Sequence, residues 1–216
     1  PYVTYDGYRL QLGIYEKENW LYRVLHGRTL VVTDDIMNNI TTLTYGEDVA
    51  HIIYNVSLSE NGKGQVVQAV SPNFIQWENV LETYRRCLLK LSDTELKVKR
   101  VKSINCLNEV FSRYQLKYDR LGKRLFDSSK AESYGKINWT SIEDGVESSL
   151  DIFINKPEWK NINWKSEALM DKITGERTDK SEMPDLKKRL VYWIYRYTPY
   201  SKLVYSLKKL KRVTVG

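Results

Sequence analysis

The sequence predicts an α+β protein: an N-terminal antiparallel β barrel or sandwich, an antiparallel helical hairpin, and a basic amphipathic C-terminal helix. Three observations predict it. Residues 2–70 are rich in β-branched and aromatic residues punctuated by glycine turns. An apolar period of alternating threes and fours sets in after Pro72. Residues 184–216 interleave Lys and Arg with Leu, Trp and Tyr. Four regions follow: a β-domain over 1–71, the hairpin over 72–126, a polar mixed region over 127–183 and the basic element over 184–216.

In the first region, Tyr2–Tyr5 and Tyr8–Leu12 flank Asp6-Gly7, a tight hairpin signal. Trp20–Leu25 and Thr29–Thr33 read as strands around a turn at His26-Gly27-Arg28. Ile52–Leu58 and Gln65–Val70 read as strands around Glu60–Gly64, while 34–51 holds a short helix or a long loop. Five or six short strands with short turns are the pattern of a barrel or sandwich.

In the second region, Phe74, Trp77, Leu81, Tyr84, Leu88 and Leu91 form one helical seam. Ser92-Asp93-Thr94-Glu95 matches a capping box, and Ile104, Leu107, Phe111, Tyr114, Tyr118, Leu121 and Leu125 form a second seam, weakened at Gly122. Two seamed helices with a short connection predict an antiparallel pair. Leu96–Lys99 alternates with period two, so strand is the competing reading there. In the third region Val146, Leu150, Phe153 and Ile154 predict a helix ending before Pro157, and Asp171–Pro184 reads as an exposed loop. In the fourth, Leu186, Leu190, Ile194 and Tyr197 make a stripe that Pro199 interrupts and Leu203, Val204, Leu207 and Leu210 resume.

Composition bounds the function. A chain of 216 residues, 42% hydrophobic and 28% charged, has the make-up of a globular protein. No apolar run reaches the roughly 20 residues of a membrane span. The net charge of +7 points to an anionic partner. That charge is uneven: −4 over 1–80, +7 over 81–126, −4 over 127–183 and +8 over 184–216. Cys87 and Cys106 lie in helical patterns and are expected to be reduced thiols. With His26 and His51 they lack the close pairs of a zinc site. Sequons at Asn39, Asn55 and Asn138 are about as many as chance supplies. An intracellular or virion-associated location is expected over a secreted one. No Walker loop or Gly-x-Gly-x-x-Gly string occurs, so no nucleotide cofactor and no other cofactor is expected.

The candidate site is the set of cations and rings that would meet a phosphate backbone: Lys187, Lys188, Arg189, Arg196, Lys208, Lys209, Lys211 and Arg212, with Trp193 and Tyr195 stacking on unpaired bases. Arg120, Lys123 and Arg124 join them from the second basic stretch. The plainer account of both stretches is amphipathic helices with solvated lysines. The favoured function is a non-enzymatic module that binds nucleic acid, DNA or RNA, or supports assembly within a larger complex or a viral or mobile-element particle. An anionic membrane surface and protein partners are the other expected contacts, the former through a matrix-like structural protein. A third reading is a metal-dependent nuclease built on Glu95-Leu96-Lys97 with Asp34, Asp35 or Glu78.

Overall fold

The computed structural model describes residues 4–107 and 113–199. Helices carry most of the regular structure, and the sheets are three strand pairs. The elements run β1 (Thr4–Tyr5), α1 (Lys17–Leu25), β2 (Leu30–Thr33), α2 (Asp34–Met37), β3 (Ile40–Thr42), β4 (Thr44–Tyr45), α3 (Gly46–Leu58), β5 (Phe74–Gln76) and α4 (Trp77–Ser92). They continue with β6 (Val98–Val101), a 3₁₀ turn (Ile104–Leu107), α5 (Arg113–Gln115) running into a π turn (Leu116–Arg120), and α6 (Ser129–Glu132). The last are α7 (Ile142–Asn155), α8 (Trp164–Thr174), a 3₁₀ turn (Lys180–Glu182) and α9 (Leu186–Tyr197).

The expected barrel or sandwich is not there. β1 pairs with β4 in parallel and β2 with β6 in parallel, Leu30 opposite Val98 and Thr33 opposite Val101. Only β3 and β5 run antiparallel, with Ile40 opposite Gln76. Two of the predicted strands are helices. Trp20–Leu25 falls inside α1, where Trp20, Leu21 and Val24 turn one face to the core. Ile52–Leu58 falls inside α3, which buries Val49 and Ile52 and opens with Glu47 and Asp48 in its first turn, the favourable end for acids. Aromatic and β-branched composition measures how well a residue fits a half-buried surface, and windows as short as these two do not show their period. Gln65–Val70 has no regular structure. Asp6-Gly7 does mark a turn, closed by a bridge between Asp6 and Arg9, and Gly27 (φ 72°) turns the chain from α1 into β2.

The helical hairpin is also overturned. α4 forms, but Phe74 stands on β5. Asp93 ends α4 in a left-handed conformation (φ 49°), so Ser92–Glu95 closes a helix instead of opening one. The period-two reading of Leu96–Lys99 leads into β6. The seam over 104–125 breaks into the 3₁₀ turn, α5 and the π turn. Tyr114, Tyr118, Leu121 and Leu125 stay exposed. Left exposed, they give a long helix little to stabilise it, and Phe111 of the seam lies outside the described residues.

α4 packs on α7, and α8 packs on α9. Ser141 caps α7 by accepting from the Asp144 amide (3.1 Å), and Asn163 caps α8 from the Ser166 amide (3.2 Å). One core joins Tyr5, Trp20, Leu30, Val31 and Val32 of β2, Trp77, Tyr84, Leu150, Phe153, Met170 and Tyr195. Trp20 meets Tyr84 at 4.5 Å between ring centres. Gly145 on α7 admits the Tyr5 ring: a Cβ there would lie 2.9 Å from Tyr5 Cζ. α3 closes a smaller core with Ala69 and Ala131. Asp171–Pro184, expected as an exposed loop, contains the end of α8, and Asp171, Thr178 and Met183 are buried.

Candidate anion-binding site

Two polar clusters lie inside the molecule. The first centres on Arg23 of α1, whose side chain is fully buried. All five of its N–H groups are used. Nε donates to the Thr29 carbonyl (2.6 Å). Nη1 donates to Asp171 Oδ1 (2.7 Å) and Glu167 Oε2 (3.1 Å). Nη2 donates to Glu176 Oε2 (2.7 Å) and Thr174 Oγ1 (3.2 Å). Asp171 Oδ2 accepts from Tyr192 Oη (2.6 Å) and from the Thr178 amide and hydroxyl (2.6 and 2.8 Å). Arg28 reaches Glu182 at 2.6 Å and Glu167 at 3.3 Å.

Burial raises Asp171, but the hydrogen bonds from Tyr192 and Thr178 and the charge of Arg23 outweigh it and hold the carboxyl below its ordinary range. Burial wins at Glu167, which is pushed up to about 7 against the pull of Arg23 and Arg28. This cluster ties α1, α8, α9 and the turn into β2 together, with every N–H of Arg23 spent on the protein itself and Arg28 Nε and Nη2 left without an acceptor. It is a structural clamp.

The second cluster is different. Arg120 ends the π turn, and the Leu121 amide closes that turn on the Leu116 carbonyl (3.0 Å). π segments recur at functional sites because they re-aim side chains. The turn is laced to β3. Asn39 Nδ2 donates to the Arg120 carbonyl (3.2 Å) and to the Asp35 carbonyl (2.8 Å). The Arg124 amide donates to the Ile40 carbonyl (3.1 Å), and Thr42 Oγ1 to the Arg124 carbonyl (3.0 Å). Arg120 is 6% exposed, yet its Nε and Nη1 have no hydrogen-bond acceptor, and Asp119 Oδ2 lies 3.4 Å from Nε as an ion pair. Asp119 also serves Arg124 at 3.3 Å. Nearby, Tyr114 and Tyr118 stack at 6.3 Å and stay exposed. The frame holds a guanidinium with unfilled donors, the arrangement that takes a phosphate or carboxylate.

The residues singled out in the sequence fall in several places. Arg120 is buried, Lys123 exposed, and Arg124 paired with Asp119. On α9, Lys187, Arg189 and Trp193 are exposed, and Tyr195 is buried, where it cannot stack on a base. The Lys188 amide is taken by the Asp185 cap (2.7 Å), and Arg196 donates to the Glu176 carbonyl (3.1 Å). Lys208, Lys209, Lys211 and Arg212 lie outside the described residues. The described parts of the two basic stretches sit on separately packed elements, α4 on α7 and α9 on α8. Acids from elsewhere neutralise much of the first: Glu143 meets Arg86, Glu147 meets Lys90, and Asp34 and Glu78 share Arg100. That last pairing also dismantles the nuclease set, as Glu95 and Lys97 sit exposed before β6. No group of three or more metal-ligating side chains occurs among the described residues.

The sequence reading missed the Arg23 clamp. The available signal was Glu167 and Asp171, four apart on one helical face beside Ala168, Leu169 and Met170.

The chain matches no protein-family model and no curated protein. It is similar to solved structures of UDP-glucuronic acid 4-epimerase from Bacillus cereus. For the complex with UDP-glucuronic acid and NAD, identity is 18%, TM-score 0.49, and coverage 71% of this chain and 43% of that one. For the NAD complex the values are 16%, 0.46, 70% and 40%. The Bordetella bronchiseptica enzyme WbmH with NAD+ gives 14%, 0.42, 63% and 39%. The chain thus spans about two fifths of the length of these structures. The sequence pointed to a non-enzymatic nucleic-acid-binding, matrix-like or viral protein. With Arg86, Lys90, Arg100 and Arg124 paired to acids and Tyr195 buried, that reading is withdrawn.

Proposed function

We propose that this chain is the ligand-holding portion of an enzyme that acts on an anionic small molecule, with a phosphate or carboxylate of that molecule seated on Arg120. The observation that carries this is the buried guanidinium with two unfilled nitrogens. The one acid beside Arg120, Asp119, is shared with Arg124, so a further anion would fill donors that this carboxylate leaves open. An anion fixed by a laced π turn is positioned as well as captured, and positioning is what a reaction requires of a binding element. The parallel pair of β1 and β4, two residues each, is the second support. Parallel strands of that length are found within larger covered sheets, so the β1 edge suits a strand from the portion that brings the reactive groups.

Calorimetric titration of the full chain with inorganic pyrophosphate, UDP-glucuronic acid and NAD tests this, the latter two being the compounds held by the structures named above. Binding of at least one, weakened by about tenfold or more in Arg120→Gln, is the expected result. No binding by the wild-type chain, or equal binding by the variant, overturns it.

A further inference from the structure

We infer that the outward face of α9 is a docking surface for an anionic phospholipid bilayer. α9 is held on α8 by Tyr192 and Tyr195, both buried, with Tyr192 Oη on Asp171. That anchoring fixes which side faces out. Of the expected apolar stripe Ile194 packs on the core, but Leu186 is 79% exposed, Leu190 58% and Tyr197 49%, and Trp193 joins them at 54%. Steps of four, three and four place them in one row along the helix. They line a groove of about 380 Å³ with Met183, and Arg177, Lys180 and Arg189 stand at its rim. A row of this size with a polar rim marks an interaction surface.

Charge selects the occupant. Residues 186–216 hold nine Lys and Arg and no Asp or Glu. Folding residues 200–216 onto the groove would bring Lys202, Lys208, Lys209, Lys211 and Arg212 against the basic rim. A second copy would bring the same positive face to its own image. Of the acids nearby, Glu176 and Glu182 are committed to Arg23, Thr29 and Arg28, which leaves Asp179 and Asp185 at the N-terminal end of α9.

A soluble polyanion would satisfy the cations and leave Leu186 and Leu190 in water. A bilayer takes both: leucines enter the acyl boundary, Trp193 and Tyr197 sit at the headgroup level, and Lys187 and Arg189 meet the phosphates. α9 lies on such a surface. No helix among the described residues is long and apolar enough to cross one.

Vesicle flotation of the full chain tests the inference, with phosphatidylcholine alone and with about one third phosphatidylglycerol. The expected result is roughly tenfold more protein floating with the anionic vesicles, falling as salt rises. The exposed pair of changes Leu190→Glu and Trp193→Ser should remove it with the circular dichroism unchanged, and Lys187→Glu with Arg189→Glu should weaken it. Equal flotation with neutral vesicles, no flotation, or full flotation of the stripe variant overturns the inference. So does a wild-type dimer that the stripe variant converts to monomer, which would assign the face to a second copy.

Discussion

Arg23 and Asp171, 148 residues apart, meet at 2.7 Å with neither side chain exposed to solvent. The contact joins α1 to α8 and, through Tyr192, to α9. Arg23→Met leaves Asp171 and Glu167 buried without that counter-charge. Breaking one side of a buried pair costs about 3–5 kcal/mol. Urea unfolding should show a loss of that order, with Arg23→Lys intermediate because an ammonium cannot span the five acceptors.

Glu167 gives the clamp a pH signature. Its folded value near 7 stands above the ordinary 4.5, so between those values the folded state binds the extra proton. This contribution to stability is whole below pH 4.5 and declines as pH rises toward 7, by about 3 kcal/mol. Asp171, Glu176 and Glu182 are held low and act in the opposite sense, their contribution fading as pH falls below the ordinary carboxylate range. Unfolding midpoints at pH 5 and pH 7 should converge in Glu167→Gln and differ in the wild type.

Arg120 should behave unlike Arg23 in the absence of ligand. Its Nε and Nη1 are unfilled, so Arg120→Met removes a buried charge whose donors the protein leaves open. The expected change in stability is neutral to about 2 kcal/mol in favour of the variant. Thermal unfolding with and without pyrophosphate separates the effects: only the wild type should gain from the anion.

Gly145 is a packing requirement. Its absent Cβ leaves room for Tyr5, which is 1% exposed and unable to withdraw. Gly145→Ala should destabilise by about 1–3 kcal/mol through overpacking. Recovery in the double variant with Tyr5→Ala, measured by unfolding midpoint, would show that the clash is the cause.

What the sequence displays and what it conceals divides along physical lines. The steps from Trp77 to Leu91 and from Val146 to Phe153 are visible because α4 and α7 each bury a single stripe against the other. Thr29–Thr33 is visible because β2 is buried on both faces and reads as an apolar run. Trp20–Leu25 and Ile52–Leu58 mislead because the residues that fix their period, Lys17 and Val49, stand outside the windows that look like strands. The seam from Ile104 to Leu125 misleads for the opposite reason: its spacing is right, but only Ile104 and Leu107 of its described residues reach the core, while Tyr114, Tyr118, Leu121 and Leu125 stay exposed. Of the candidate site, Arg120 is conspicuous as a cation. Its burial is set by β3, some 80 residues earlier, and no local pattern encodes that. The α9 stripe is legible as a stripe, while the side it faces is decided by Tyr192 reaching Asp171.

The parallel pairing of β2 with β6 has a consequence for how the chain assembles. Leu30 must wait for Val98 before its ladder closes, and Arg23 must wait for Thr174 and Glu176. During synthesis β2 therefore lacks its sheet partner, and Arg23 its acceptors on and after α8, until those later parts of the chain emerge. Loop closure over such spans should dominate the refolding time. Two separately made pieces, divided in the exposed loop around Gly64, should recover the native form only when mixed.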